Sequence, residues 1–204
     1  MQINYNREQK SDIVISKPSG IEVGKYLKTW KNLKNYQLQE DALDKLFFEL
    51  LPSNEEISDI LLKVATSNDF YSTNIFSVYP VAEHILSLTI DERLKQGDVT
   101  LVNEIQNVTI NGVTRKFYSF STKYCSHHNP NEYPIYDSYV EKVLKYFRKT
   151  DKFFNFKNAD LKDYQKFKNI IIAFREYYGL EEFNLKEIDQ YLWQLGKKYF
   201  PNKY

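Results

Sequence analysis

The sequence predicts an all-α, multi-helix fold that contains one small β-hairpin near residues 108–116. Apolar residues recur at intervals of three and four along most of the chain, which places them on one face of a helix. A single segment instead sets Asn111-Gly112 between β-branched residues. Asn-Gly is the strongest short hairpin signal because both turn positions adopt positive φ. The 204 residues are 42% hydrophobic and 16% aromatic, which suffices for a substantial core.

The polar N-terminal segment differs in composition from the rest of the chain. Residues 1–20 close with Pro18 and Gly20 and are predicted to form an N-terminal arm. Residues 21–204 have the length of one domain and carry no repeat, so a single helical domain is predicted there.

Several helices are predicted before the hairpin. Ser53 offers an N-cap with Glu56 three residues further on, the spacing of a capping box. The predicted helices are, in order, 21–35, 39–51, one with apolar positions 57, 60, 61 and 64, one with apolar positions 78, 81, 85 and 88, and 99–105.

The helices predicted after the hairpin have their own start and stop signals. The first is expected to stop before Pro130, and the next to begin at Asp137 or Ser138. Ser138 and Glu141 have the spacing of a capping box, and Gly179 is placed as a C′ residue. These helices are 117–127, 138–149, 161–178 and 185–199.

Composition excludes some classes of protein. One cysteine, Cys125, excludes an internal disulfide and a cysteine-rich zinc site. Because no leader pattern opens the chain and no apolar run approaches ~20 residues, we expect a cytoplasmic protein without membrane contact.

The net charge of +1 is no signature of nucleic-acid binding. Charge is uneven, however: residues 142–175 carry ten basic and three acidic side chains, which form either a phosphate-binding surface or a solvated face.

Chemically useful side chains concentrate between Ser119 and Val140. Lys123 lies inside a predicted helix, and Asp137 lies at the start of the next one. A desolvated lysine favours its neutral form and can form Schiff bases. An aspartate at a helix N-terminus can stabilise positive charge that develops on a sugar ring. For Lys123 alone, the alternative is an ordinary surface lysine. For Asp137 alone, the alternative is a plain N-cap residue.

The same segment contains residue types that serve two other chemistries. His127 and His128 permit a metal site with Asp137 or Glu132, but adjacent histidines on a helix point in different directions. Cys125 and His128 permit a thiol nucleophile, although Cys125 is expected to pack inward. We therefore expect neither a metal nor a cofactor.

Lys123, together with the segment from Pro134 to Asp137, resembles the end of the helix-hairpin-helix signature of DNA glycosylases, especially the 8-oxoguanine DNA glycosylase branch. In that family a lysine opens the helix after the hairpin, and a Pro-x-x-Asp segment supplies a carboxylate at the next helix cap. The resemblance implies a glycosylase-like core at about residues 61–147, with C-terminal helices at 160–199 closing the cleft.

A second match lies at residues 67–75, which resemble the Asn-rich helix start that fills the space left by a flipped base. The resemblance gives that role to Asn74 and makes Trp193 a stacking platform, although structural packing of Trp193 is the alternative. The positions that the resemblance places in the base pocket or against DNA are Asn68, Tyr71, Asn74, Ser119, Ser121, Thr122, His127, His128 and Trp193.

The chain departs from the family at the hairpin. The family carries Gly-x-Gly before the lysine, whereas this chain has Ser119-Phe120-Ser121 there. The spacing between the lysine and the aspartate is also shorter than the family's. Either the contacts between this loop and DNA differ from those in the family, or the loop does not bind DNA.

Two functions from different classes follow. The first is a monomeric, cofactor-free DNA glycosylase that acts on double-stranded DNA with a damaged or modified base, in repair or in defence against modified foreign DNA. Asp137 would assist base departure and Lys123 would attack the sugar C1′, with AP-lyase strand cleavage through the Schiff base. The alternative is a non-catalytic helical module that binds nucleic acid or protein, which the missing glycines and near-neutral charge favour.

Overall fold

The computed structural model describes residues 13–201, and over that range it confirms a mostly helical fold with one β-hairpin. Residues 1–12 of the predicted arm lie outside the described residues. The elements are α1 (Gly20–Trp30), α2 (Lys34–Asp44), α3 (Ile57–Tyr71), α4 (Val78–Ser87), α5 (Asp91–Lys95), α6 (Thr100–Ile105), β1 (Asn107–Ile110), β2 (Val113–Lys116), α7 (Tyr118–His128), α8 (Ser138–Thr150), α9 (Tyr164–Tyr177) and α10 (Leu185–Tyr199).

The hairpin has the turn that its sequence predicts. Asn111 and Gly112 have φ of 51° and 76°, and Ile110 pairs with Val113 in an antiparallel register. Positive φ at both central positions gives a two-residue turn whose twist matches the strands. The hairpin joins α6 to α7, so it directly precedes the helix that carries Lys123.

Both capping boxes predicted from the sequence are wrong. The N-cap of α3 is Glu56, without a side-chain cap bond, while the Ser53 carbonyl accepts a hydrogen bond from the buried Lys63 amine at 2.7 Å. At α8 the cap is Asp137, and Glu141 instead bonds other side chains in an ion-pair network. The first box fails because α3 begins at Ile57, after Ser53 has passed the cap position, and the second because Asp137 takes the cap that Ser138 would need. Gly179 has φ of 63° after α9, as its C′ placement predicts.

The core is built around α7, whose residues from Phe120 to His127 are all buried. This helix is polar in sequence, so its side chains must be satisfied inside the protein. Ser121 Oγ donates to the Phe117 carbonyl at 3.0 Å, and Thr122 Oγ1 donates to the Ser119 carbonyl at 3.0 Å. A polar helix in the interior is therefore the unusual feature of this fold.

Helix α10 packs against α1 and α8. Gly196 permits the close approach to α8, since a Cβ built there would lie 2.5 Å from the Tyr139 carbonyl oxygen. The described part of the predicted arm also contacts α8: Ile15 is buried, and its N–H donates to the Tyr146 hydroxyl at 3.1 Å. Among the described residues, no helix combines the length and apolar character that crossing a bilayer requires.

Candidate active site

A cleft of about 540 Å³ lies where α2, α3, α7, α8 and α10 meet. Its lining includes Lys123 of α7, Asp137 at the N-cap of α8 and Asp189 of α10. Of the two C-terminal helices predicted to close the cleft, α10 lines it, whereas α9 contributes no lining residue. The cleft therefore joins side chains that are far apart in sequence.

The Lys123 amine is held at the floor of this cleft. The residue is only 4% exposed, and Nζ donates to Ser119 Oγ at 2.7 Å. Nζ also lies 3.8 Å from Asp137 Oδ2 and 5.0 Å from the centre of the Tyr71 ring. Burial lowers the pKa of the amine, and the charges of Asp137 and Asp189 oppose that shift. A lysine in this setting is closer to its neutral, nucleophilic form than a surface lysine is.

Asp137 uses its two oxygens differently. Oδ1 accepts a hydrogen bond from the Tyr139 N–H at 2.8 Å and caps α8. Oδ2 faces the Lys123 amine. The cap bond fixes the side chain, because the first turn of a helix has backbone donors without intrahelical partners. The pair expected from the sequence is therefore brought together at one opening.

Sequence reasoning did not identify Asp189, the third ionisable group of the cleft. This residue is 7% exposed, and its Oδ1 has no hydrogen-bond partner among the described residues. Burial raises its pKa to about 8; Lys186 opposes the shift and Asp137 adds to it. The available signal was its place between Leu185 and Leu192, where helical spacing sets a carboxylate in an apolar stripe.

An aromatic wall forms one side of the cleft. The Trp193 ring makes edge contacts with Trp30 at 5.6 Å and Tyr36 at 5.0 Å between ring centres. The Lys197 amine lies 4.6 Å from the centre of the Trp193 ring. Trp193 thus both packs and lines the cleft.

The Asn-rich segment does not start a helix, so that expectation is wrong. Residues 67–71 end α3, and α4 begins only at Val78. Asn68 Oδ1 accepts hydrogen bonds from the Ile75 N–H and the Thr73 hydroxyl, both at 2.9 Å, so it ties the loop to α3. Asn74 is exposed at the rim, with φ of 60°, and Tyr71 lines the cleft.

The position expected for a hairpin loop lies inside α7, which corrects the family alignment at that point. Ser119 to Ser121 form the first turn of this helix, and the hairpin lies upstream at β1 and β2. Ser121 and Thr122 have no exposed surface, and Thr122 Oγ1 accepts from the Tyr136 N–H at 3.1 Å. Ser119 alone of these three side chains contacts Lys123. Thr122 ties α7 to the segment before α8, whereas Ser121 bonds within its own turn, and neither residue lines the cleft.

The two histidines point to different surroundings. His127 Nε2 lies 2.7 Å from the Tyr71 hydroxyl, whereas His128 Nε2 lies 3.2 Å from Asn54 Nδ2. Among residues 13–201, no three His, Cys, Asp or Glu side chains are grouped to hold a metal ion. Burial raises the pKa of the Cys125 thiol, which disfavours a thiolate nucleophile.

The buried His127 makes stability depend on pH. Burial, with smaller effects of Lys186 and Lys123, lowers its pKa to about 3 from an ordinary value near 6.5. Below pH 6.5 His127 therefore binds a proton in the unfolded chain. In the folded chain it stays neutral until the pH falls to about 3. The free energy of unfolding should fall by roughly 2 kcal/mol between pH 7.5 and 5.0 through this group. Urea unfolding at both pH values measures the total change, to which the raised pKa of Asp189 contributes with the opposite sign, so the contribution of His127 is the difference from a variant without the imidazole.

The matched variant is His127→Gln, whose amide oxygen can still accept from the Tyr71 hydroxyl. The free energy of unfolding of this variant should fall by about 2 kcal/mol less than that of the unaltered protein between pH 7.5 and 5.0. Part of the pH dependence should remain, because burial also lowers the pKa of His128. An equal slope in both proteins would contradict the assignment.

The described chain is thus a mostly helical protein whose cleft combines a buried lysine, two carboxyl groups and an aromatic wall. Residues 22–132 match the HI_0787_N family, described as an N-terminal domain, and the chain belongs to this family. An uncharacterized protein of Haemophilus influenzae is 56% identical over 146 residues, which cover 71% of this chain and 70% of that protein. No solved structure matches the chain.

Proposed function

We propose that this chain is a DNA glycosylase that removes a damaged or modified base from double-stranded DNA and cleaves the resulting abasic site as a lyase. The observation that carries the proposal is the buried Lys123 amine 3.8 Å from the Asp137 carboxylate in an open cleft. In this proposal the protein acts as a monomer in the cytoplasm, in repair or in defence against modified foreign DNA.

The chemistry assigns one task to each member of the pair. The neutral Lys123 amine attacks the sugar C1′, and the bond between C1′ and the base nitrogen breaks, with the electron pair leaving on the base. Asp137 Oδ2 lies beside the positive charge that develops on the sugar ring. The amine then loses a proton, its nitrogen lone pair forms the C=N bond as the C1′–O4′ bond breaks, and O4′ takes up the proton to leave a ring-opened Schiff base between Lys123 and C1′. Loss of a C2′ proton from that Schiff base breaks the C3′–O bond, so that the 3′ phosphate leaves and the strand is cleaved by β-elimination.

The dimensions and walls of the cleft suit a flipped base. Its volume of about 540 Å³ falls in the range of ~300–1,000 Å³ found for small-molecule sites. Tyr71, whose ring centre lies 5.0 Å from the amine, and Trp193 line the cleft with aromatic rings, and stacking on such rings holds flipped bases. Lys197 is exposed at the mouth, where it can contact a phosphate.

The competing proposal is a non-catalytic helical module. It is favoured by the balanced charge of the cleft, where Glu40 and Asp137 offset Lys186 and Lys197. Such a module would bind DNA with an affinity that falls steeply as salt rises, without releasing a base. A protein-binding module would show no DNA affinity even at low salt.

The proposal is tested with duplex DNA that contains either an abasic site or one of a panel of oxidised purines and other modified bases. The protein is incubated with each duplex and sodium borohydride, which reduces a Schiff base to a stable amine. We expect a covalent adduct that peptide mass spectrometry maps to Lys123, and none with the unmodified duplex. If no duplex yields an adduct and no base is released, the glycosylase–lyase proposal is wrong.

A further inference from the structure

We propose that Asp189 is the proton donor of this site, delivering a proton to the hydroxyl group that leaves when the Lys123 amine condenses with an abasic-site aldehyde. This inference rests on the proposed function and adds a third catalytic residue to it. It is carried by the position of the Asp189 carboxyl group in the cleft.

The geometry sets Asp189 apart from Asp137. Asp137 Oδ1 is occupied by the cap bond to the Tyr139 N–H, and its Oδ2 faces the Lys123 amine. Asp189 lies in the same cleft, is more than nine-tenths buried, and its Oδ1 has no hydrogen-bond partner among the described residues. Leaving a buried polar atom unpaired costs free energy, and a group of the substrate can supply the missing bond.

Charged groups from four helices face Asp189. Lys186 lies one turn earlier on α10, Lys123 comes from α7, Asp137 caps α8 and Glu40 comes from α2. The two lysines favour the carboxylate, whereas burial, Asp137 and Glu40 favour the protonated acid. The net result is the raised pKa of about 8, so Asp189 carries a proton at neutral pH. A general acid works best when its pKa lies near the working pH.

The proposed step balances in atoms and charge. The neutral Lys123 amine adds to the aldehyde carbon C1′ of the opened deoxyribose, and a proton moves from nitrogen to oxygen to give an amino alcohol. The C1′–O bond then breaks, the hydroxyl takes the Asp189 proton, and water leaves. The nitrogen lone pair forms the C=N bond of a cationic iminium, while Asp189 becomes a carboxylate. One positive and one negative charge arise together inside the cleft.

The test uses the full chain and a duplex with an aldehydic abasic site, so it needs no knowledge of the base removed. The reaction is run under single-turnover conditions from pH 5.5 to 9.5, and aliquots are quenched into sodium borohydride in alkaline buffer to measure the rate of adduct formation. For the unaltered protein we expect the rate to fall on the alkaline side with a midpoint near 8. Asp189→Asn should be about 100-fold slower and should lack that alkaline fall, because an amide donates no proton at this step.

Two further variants separate this role from a structural one. Asp189→Glu, which retains an acid, should restore part of the rate together with the alkaline fall. Asp41→Asn, an exposed aspartate on α2 outside the cleft, should leave rate and profile unchanged. An unchanged profile in a folded Asp189→Asn protein would overturn the role of Asp189 alone. No adduct with the unaltered protein would overturn the Schiff-base proposal as well.

Infrared spectroscopy keeps the inference testable if Asp189→Asn fails to fold. The unaltered protein should show the C=O band of a neutral carboxylic acid at pH 7, and this band should disappear with a midpoint near pH 8. In Asp189→Glu this band should shift in frequency, which assigns it to the side chain at position 189. A fully ionised carboxylate at pH 7, or a rate that stays level up to pH 9.5, would overturn the proposal.

Discussion

Replacement of Lys123 by glutamine is expected to abolish the borohydride-trapped adduct and to lower base release by at least about 1,000-fold. Glutamine is one bond shorter than lysine and retains an N–H donor for Ser119 Oγ, the nearest partner of the lysine at 2.7 Å. The substitution places an uncharged amide at a site that is 4% exposed, so the fold should be retained. Gel analysis of trapped DNA and quantification of released base measure both effects.

Lys186→Gln and Lys197→Gln are the matched controls, because both lysines line the same cleft. Lys186 pairs with Glu40 at 2.7 Å, and Lys197 is exposed. Both variants should retain the adduct, with binding to DNA weakened at most about tenfold. If Lys123→Gln is still trapped fully, or if only Lys186→Gln loses trapping, Lys123 is not the nucleophile and the mechanism is refuted.

The second large effect is expected from Gly196→Ala. A Cβ at this position would lie 2.5 Å from both the Cβ and the carbonyl oxygen of Tyr139, and 2.7 Å from its carbonyl carbon. Because two of these atoms are backbone, helices α8 and α10 must separate. Overpacking of this kind costs typically 1–3 kcal/mol, and we expect a value near the upper end, about 3 kcal/mol. Since Asp137 and Asp189 lie on these two helices, adduct formation should also fall.

Gly24→Ala is the matched control for Gly196→Ala. Gly24 lies within α1, and a Cβ there would meet no atom within 4 Å. This substitution should stabilise the protein by about 0.5–1 kcal/mol, because alanine is the better helix former. Thermal and urea unfolding of both variants measure the contrast. Equal stability of the two variants would show that α8 and α10 can accommodate the added methyl group without a loss of stability.

The local pattern of the sequence predicted most of the helices and the hairpin. Apolar spacing and the Asn111-Gly112 turn depend on near neighbours, and these features recur in the structure. The errors concern the two capping boxes. A cap at Ser53 would start α3 at once, but this helix begins at Ile57 after Glu56, and Glu141 pairs with Lys145 and Lys162 instead of a helix end. Lys162 lies outside the window of a few residues on which a capping signal depends.

The candidate site was predictable in part. Lys123 and Asp137 stood out through their places on neighbouring helices and through the family resemblance, and the structure sets them 3.8 Å apart. Asp189 did not stand out, because its importance depends on α10 packing beside the other two residues. The burial of Ser121 and Thr122 was also missed, since a polar helix in the core contradicts the usual pattern of hydropathy.

The aromatic wall has an optical consequence. The chain contains two tryptophans, Trp30 and Trp193, and both indole rings line the cleft. Tryptophan fluorescence of the whole protein therefore originates within a few ångströms of the cleft, with Tyr36 in contact with both rings. Emission intensity and wavelength become direct reporters of what enters the cleft, so occupancy can be titrated on the unlabelled protein.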